Sequence, residues 1–166
     1  RAAQSPWLPK AGSSTASVIV DAADLNVRLV LNGVDIRSST NAAIIVTDAE
    51  TVVLQLASNT TNTLSDASSR ANEEIDGVLF SSDDLFIEGD GLLTITANFA
   101  DGIVSKDDLT ISGGTITVTS VDDGIRGKDS VVITAGTLAI TADGDAIKST
   151  NDSDAGKGFI LVQGGT

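Results

Sequence analysis

Residues 101–150 decide the fold, and they read DGIVSKDDLTISGGTITVTSVDDGIRGKDSVVITAGTLAITADGDAIKST. The tripeptides that begin at Asp101, Asp123 and Asp145 follow one another at a fixed step of 22 residues. The apolar positions between them keep the same step, as in the pairs Leu109/Val131, Ile111/Ile133, Ile116/Leu138 and Val118/Ile140. A fixed step of this size marks a solenoid, in which each repeat buries its apolar face against its neighbours.

Each repeat has room for three short strands. Residues 109–111 and 116–118 alternate apolar and polar side chains, so Leu and Ile point inward while Thr points outward. A third strand is predicted around Ile103, and residues 78–85 align with 102–109 at a longer step, so earlier coils are less regular. The sequence therefore predicts an all-β fold: a right-handed parallel β-helix of about six coils of roughly 22–24 residues, with three short strands per coil.

The chain is predicted to consist of a flexible N-terminal arm, residues 1–16, and a β-helix domain, residues 17–166. Two prolines bracket Trp7 and Leu8 in the arm. Trp7 could stack on a sugar, insert into a neighbouring molecule or cap the first coil, so Trp7 and Leu8 are candidate assembly residues. Residues 57–76 interrupt the rhythm with polar side chains and are predicted to leave the coil as a loop, where binding groups tend to collect. The four phenylalanines lie mostly in strand-like contexts and are predicted to be core residues.

Composition excludes several classes of function. The chain has 166 residues and a net charge of −13, which argues against a nucleic-acid partner, since phosphate binding needs clustered basic side chains. It has no cysteine and no histidine, so disulfides, Cys/His zinc sites and Ser–His–Asp triads are excluded. No apolar run approaches the length of a membrane span. Of the 23 acidic residues only four are Glu, and this bias towards Asp suits turns and calcium ligation.

The aspartates are predicted to form columns, because residues one repeat apart stack about 4.8 Å apart in a β-helix. Like charges at that distance repel by roughly 3–4 kcal/mol at an effective dielectric near 20. Calcium would offset the repulsion, since its oxygen ligands lie at about 2.3–2.6 Å. The alternative is that these aspartates only form turns and cap backbone N–H groups. The candidate calcium ligands are Asp101, Asp107, Asp122, Asp123, Asp129, Asp143, Asp145, Asn151, Asp152 and Asp154.

Four basic residues keep the same step. Lys106 stacks with Lys128, and Arg126 stacks with Lys148. One interpretation is that they neutralise the neighbouring aspartate columns. The other is that they face an acidic sugar and pair with its carboxylates, which makes them candidate sugar-binding residues.

The central run resembles a family of secreted bacterial carbohydrate-binding β-helix proteins. The resemblance is carried by SKDDLTISGGTITVT (105–119), DDGIRGKDSVVI (122–133) and GDAIKSTND (144–152), with LVLNGVDI (29–36) and NTLSD (62–66) upstream. Ala146 stands where the family usually has Gly. The resemblance implies a pectate-lyase-like fold, bound calcium, a secreted or cell-surface location in a bacterium, and binding of cellulose or acidic, pectin-like polysaccharide without catalysis.

Three functions are therefore considered. The leading hypothesis is a secreted, calcium-stabilised, non-catalytic module that binds plant-type or acidic polysaccharide. The second is an extracellular structural subunit that stacks end to end into a filament through open coil ends and the N-terminal arm. The third is a calcium-dependent polysaccharide lyase in which a Lys or Arg of the repeats acts as the base.

Overall fold

The computed structural model describes residues 17–166, so the predictions for Trp7, Leu8 and the arm fall outside the described part of the chain. Residues 17–166 form fifteen strands and no helix. In chain order the strands are β1 (Val18–Asp21), β2 (Asn26–Leu31), β3 (Asp35–Arg37), β4 (Ile44–Asp48), β5 (Thr51–Leu56), β6 (Thr61–Ser65), β7 (Gly77–Ser81), β8 (Asp84–Gly89), β9 (Leu92–Thr96), β10 (Asp101–Ser105), β11 (Asp108–Ser120), β12 (Ile125–Gly127), β13 (Ser130–Ala142), β14 (Ile147–Ser149) and β15 (Phe159–Val162).

The strands stack into three faces of a parallel solenoid of about six turns, and this confirms the predicted fold class. Face 1 is the sheet β1-β4-β7-β10-β12-β14. Face 2 consists of β2, β5, β8, the first halves of β11 and β13, and β15. Face 3 consists of β3, β6, β9 and the second halves of β11 and β13. In the last two full coils one long strand, β11 or β13, bends and contributes to both face 2 and face 3. The corners, Gly113-Gly114 in β11 and Ala135-Gly136 in β13, are short, so the pairing between these two strands continues on both sides of the corner.

The register follows the repeat that the sequence shows. Ile103 pairs with Ile125, and Ile125 pairs with Ile147, each one 22-residue step further along. The less regular alignment upstream is also confirmed, since Leu79 pairs with Ile103 and Leu85 with Leu109. The inward residues of all three faces form one continuous core of Val, Ile and Leu side chains, most of them almost fully buried.

The predicted excursion at 57–76 was too long. Residues 61–65 are strand β6 of face 3, and Asn62 is fully buried inside the coil, where its side chain bonds Gly33 N, Val34 N and Leu92 O. The chain leaves the coil only between β6 and β7. There the Arg70 guanidinium forms a completely buried ion pair with Asp66.

This segment covers the outside of face 1. Ile75 packs against a small cluster formed by Ala42, Ile45, Phe80 and Val104, which explains why β7 and β10 are buried on both sides.

The prediction that the phenylalanines belong to the core was wrong for two of them. Phe80 is buried in the cluster outside face 1. Phe86, however, points outward from face 2 and is 36% exposed, and Phe159 is 44% exposed on β15. Strand context alone does not tell which of the two sides of a strand an isolated aromatic residue occupies. Within the described residues no helix is long and apolar enough to cross a membrane.

Candidate metal-binding cleft

An open cleft of about 260 Å³ lies beside the aspartate column of face 1, and we call it the aspartate cleft. Asp101 lies at the start of β10, Asp122 and Asp123 lie in the turn between β11 and β12, and Asp76 immediately precedes β7. Successive coils place these side chains together because the turns stack in register. The lining residues are Asp76, Ala100, Asp101, Asp122, Asp123, Arg126, Lys148 and Thr150.

The predicted column of Asp101, Asp123 and Asp145 is held by backbone hydrogen bonds. The Asp101 carboxylate accepts the backbone N–H of Asp123 at 3.0 Å, and the Asp123 carboxylate accepts that of Asp145 at 2.9 Å. Each of these buried carboxylates therefore satisfies a donor in the next coil, which is the capping role that the sequence analysis weighed against metal binding.

The same two carboxylates also form ion pairs with the next coil. The Arg126 Nε atom donates to Asp101 at 2.7 Å, and the Lys148 Nζ atom lies 2.9 Å from Asp123 and 3.2 Å from Asp145. These contacts favour the interpretation that Arg126 and Lys148 neutralise the column.

Three carboxylates in the cleft lie close enough to share a cation. One oxygen from each of Asp101, Asp122 and Asp123 lies within 4.8 Å of the other two. Asp101 and Asp123 are only 2% and 3% exposed, whereas Asp122 is exposed and completes the cluster from the solvent side. A Cβ atom on Gly144 would lie 2.6 Å from Asp122 Oδ1 and 2.8 Å from Asp123 Oδ1, so only glycine leaves room for this arrangement.

Asp76 adds a fourth carboxylate. Its Oδ2 atom accepts from the Arg126 guanidinium and lies 3.4 Å from Lys106 Nζ, whereas its buried Oδ1 atom has no hydrogen-bond partner among the described residues. A buried carboxylate oxygen without a donor is costly unless an ion or water satisfies it. The cleft thus contains four carboxylates against two cations, Arg126 and Lys148.

Burial and charge act in opposite directions on the groups in the cleft. Burial raises the pKa of the Asp101 carboxyl, and the Arg126 guanidinium beside it only partly offsets that shift. Burial also works against the charge of Arg126, but the carboxylates of Asp101 and Asp76 outweigh it and hold the Arg126 pKa above its ordinary value. Hydrogen bonds to Asp123 and Asp145 raise the pKa of Lys148. Both bases therefore stay protonated.

The residues of the cleft fit a hard cation. All candidate ligand atoms are carboxylate oxygens, each of which can accept more than one partner, so a cation can bind without displacing every existing hydrogen bond. The partnerless Asp76 oxygen and the glycine beside Asp122 and Asp123 both fit such a site. An aspartate triad with two buried members and one exposed member, which could hold a metal ion, is therefore present.

A second aspartate column, which contains Asp107 and Asp129, forms a separate group of residues at the turn before face 2. Asp129 is 3% exposed and bonds Asn151, whose amide also donates to Asp154 at 2.9 Å. Lys157 supplies the counter-charge by donating to Asp129. Together these contacts lower the pKa of Asp129, with the Lys157 hydrogen bond as the largest cause. The candidate calcium ligands are therefore divided between two turns, and in this second turn Lys157 already pairs with the buried Asp129 carboxylate.

The other predicted site residues lie around these two groups. Asp107 is half-buried in the column of Asp129, and burial followed by repulsion from Asp129 raises its pKa. Asp143 and Asp152 are exposed, as is the Lys128 side chain, while Lys106 lies near Asp76 and over the ring of Phe80.

Sequence reasoning missed several residues of these groups. Asp76 and Gly77 repeat the Asp-Gly-aliphatic pattern of Asp101 and Gly102, but the longer step between them hid the match. The carbonyl of Asp76 accepts the Asp101 N–H at 2.9 Å, as expected for neighbouring turns of one column. Lys157 lies outside the repeat, in the longer turn before β15, and carries no sequence signal.

Comparison with known proteins agrees with this fold. A family described as "Carbohydrate-binding domain-containing protein" matches residues 11–166. A protein of that description from Acetivibrio thermocellus is 41% identical over 95 residues, which are 54% of this chain and 33% of the relative. The solved structure of the polysaccharide lyase-like protein from C. thermocellum, a gadolinium derivative, is 37% identical with a TM-score of 0.88. It is matched by 90% of this chain over 62% of its own length, so this chain spans only part of both relatives. The chain therefore belongs to the family of carbohydrate-binding domain-containing proteins.

Proposed function

We propose that this chain is a secreted or cell-surface, non-catalytic carbohydrate-binding β-helix that holds calcium in the aspartate cleft and binds acidic polysaccharide there. The observation that carries the proposal is the cluster of Asp101, Asp122 and Asp123, whose oxygens lie within 4.8 Å of one another in a cleft that Asp76 also lines. Carboxylate-only ligands and an open, exposed side favour calcium over zinc, which prefers nitrogen and sulfur ligands. The solved relative is a gadolinium derivative, and gadolinium(III) is likewise a hard cation.

The charge of the cleft explains why binding of an acidic glycan would need calcium. With four carboxylates against two cations, the cleft by itself repels a uronate. A bound divalent cation offsets that excess and can accept a sugar carboxylate as a further ligand. Lys148 is 40% exposed at the rim, so its ammonium group can pair with the same sugar chain.

The structure favours binding over lyase chemistry. A lyase needs a base that can lose its proton near neutral pH, and such a base has a lowered pKa. Arg126 and Lys148, the basic residues that line the cleft, are instead held protonated by the carboxylates around them. We therefore propose no proton abstraction by these residues. Absorbance of unsaturated products during incubation with polygalacturonate and calcium tests this directly, and a steady rise would contradict it.

End-to-end association is a second candidate function, favoured by one observation. Ile160 and Val162 of β15 pair with core residues of β13, yet they are 46% and 62% exposed. They form an apolar end of the solenoid that another molecule could cover. Further coils of a longer chain would cover the same surface. Light scattering over a concentration series distinguishes association from a monomer.

The leading proposal is tested by titrating calcium into chelator-stripped protein in a calorimeter and by retention on polygalacturonate gels. We expect one calcium to bind in the cleft and retention to require calcium. Asp122→Asn should weaken both, because it removes the negative charge of the solvent-side ligand. Asp90→Asn makes the same charge change in an exposed turn and serves as the matched control. Wild-type retention on polygalacturonate that is unchanged in excess chelator would overturn the proposal.

A further inference from the structure

The outer surface of face 2, which we call the Phe86 face, contains a row of outward side chains that crosses six strands. The register places Arg28, Val53, Phe86, Thr110, Val132 and Leu161 side by side. Neighbouring strands lie about 4.8 Å apart, so the row is roughly 24 Å long. Phe86 and Leu161 are 36% and 41% exposed, and Val53 and Val132 are half-buried. Apart from Arg28 at one end and Thr110 near the middle, this row is thus a partly exposed apolar strip along the solenoid axis.

Three polar side chains, those of Arg28, Gln55 and Glu88, lie at one end of the strip and are linked by hydrogen bonds from the Arg28 guanidinium. The Arg28 Nη1 atom donates to Gln55 Oε1 at 2.8 Å and to Glu88 Oε1 at 2.6 Å, across three adjacent strands. Gln55 and Glu88 pair with each other in the next row of the same face, directly beside Val53 and Phe86. Such mutual bonds hold long side chains in place before a ligand arrives, which lowers the entropy cost of binding.

The combination suits a sugar polymer. The C–H faces of a pyranose ring pack on an aromatic or aliphatic surface, while its hydroxyls need donors and acceptors at the edge. On the Phe86 face, Phe86 and Val53 supply the apolar packing surface. Arg28, Gln55 and Glu88 supply the hydrogen-bond donors and acceptors. Among residues 17–166 the Gln55 amide nitrogen and the second Glu88 oxygen have no hydrogen-bond partner and can meet sugar hydroxyls.

The charges select a neutral sugar. Asp84 and Asp108 flank the strip on the side opposite Gln55 and Glu88, and the acidic side chains outnumber Arg28. Repulsion between neighbouring carboxylates contributes to the raised pKa of Asp84, after burial as the main cause. A uronate polymer would add further negative charge beside these groups, whereas a neutral polymer adds none.

We propose that the Phe86 face is a second glycan-binding surface, separate from the aspartate cleft, that takes an extended neutral polysaccharide lying along the solenoid axis. Phe86 is the stacking residue, and Arg28, Gln55 and Glu88 are the polar contacts. This inference rests on the family assignment and on this surface, and not on calcium in the cleft. The two surfaces therefore differ in ligand charge and in metal dependence.

The test measures retention on insoluble cellulose, xylan and mannan in excess chelator, where the cleft cannot contribute through a metal. We expect retention on at least one of them. Phe86→Ala should lower affinity for it by about tenfold, a change of about 1.4 kcal/mol in binding free energy. Phe86→Trp should increase affinity, since the larger ring offers more stacking area. Leu92→Ala is the matched control, because Leu92 is a similarly exposed apolar residue, 46%, on face 3.

The outcomes separate this surface from the cleft. The inference is overturned if the wild type binds none of the three neutral polymers, or if Phe86→Ala binds as the wild type does. Equal loss in Leu92→Ala would place the binding surface on another face and also overturn it. Asp122→Asn should leave neutral-glycan retention unchanged while weakening calcium-dependent retention on polygalacturonate, so failure of one proposal leaves the other measurable.

Discussion

Gly144→Ala is the sharpest perturbation of the aspartate cleft, because it adds one methyl group and removes no ligand. The new Cβ atom would lie 2.6 Å from Asp122 Oδ1, 2.8 Å from Asp123 Oδ1 and 3.0 Å from the Asp122 carbonyl carbon. Both side-chain oxygens would have to rotate away, so the three-carboxylate cluster would open. Gly144 does not have a positive φ, so an alanine is compatible with its backbone.

The magnitude follows from binding to the folded state. At a free calcium concentration of about 100 times the dissociation constant, a cation stabilises the folded state by about 2.7 kcal/mol. For a chain of this size that corresponds to a rise in Tm of roughly 5–11 °C. Outer-shell changes alone weaken metal sites by about 10–100-fold, so displacing two ligands should weaken binding at least about 100-fold. At the same calcium concentration the variant should then gain only about 0.4 kcal/mol, a shift of roughly 1–2 °C.

Thermal unfolding followed by circular dichroism, with calcium and with excess chelator, measures both shifts. Gly33→Ala is the control, because Gly33 has a φ of 76° in the first coil and open space around its Cβ position. It should destabilise the fold by about 1–2 kcal/mol and leave the calcium-dependent shift intact. A Gly144→Ala variant that keeps the wild-type calcium shift would refute the assignment of Asp122 and Asp123 as ligands.

Three further predictions concern groups outside the cleft. Arg70→Ala should cost about 3–5 kcal/mol in urea unfolding, because it leaves the fully buried Asp66 carboxylate without its partner. Asn62→Ala should cost about 1–3 kcal/mol in the same assay, since it leaves two partly buried backbone N–H groups without their acceptor. The raised pKa of Asp107, due to burial and then to Asp129, means that its protonation stabilises the folded state. This contribution is fully present below the ordinary value of 3.8 and is lost as pH rises through the folded-state pKa. Asp107→Asn should therefore be more stable than the wild type at neutral pH, and the gap should close towards pH 3.8; an equal gap at both pH values would contradict the shift.

The sequence by itself determined the solenoid. The 22-residue step of Asp101, Asp123 and Asp145, together with the alternation of Thr and aliphatic residues, permits one parallel register, and the structure has that register. A slip by one residue would turn Ile and Val outward, so the apolar pattern alone excludes it. The stacking of the aspartates follows from the register, and for that reason the column could be predicted residue by residue.

Only the tertiary structure decided which aspartates share one site. Asp76 enters the cleft across a longer step, and Lys157 reaches Asp129 from an irregular turn, so neither contact has a periodic signal. The outward position of Phe86 was likewise hidden, because an isolated aromatic residue fits either side of a strand and burial of the opposite side settles it. A sequence repeat specifies which residues stack, because residues one repeat apart occupy equivalent backbone positions in successive coils. Contacts made by turns of unequal length depend on three-dimensional packing, and the charge balance of the aspartate cleft and of the Phe86 face is set there.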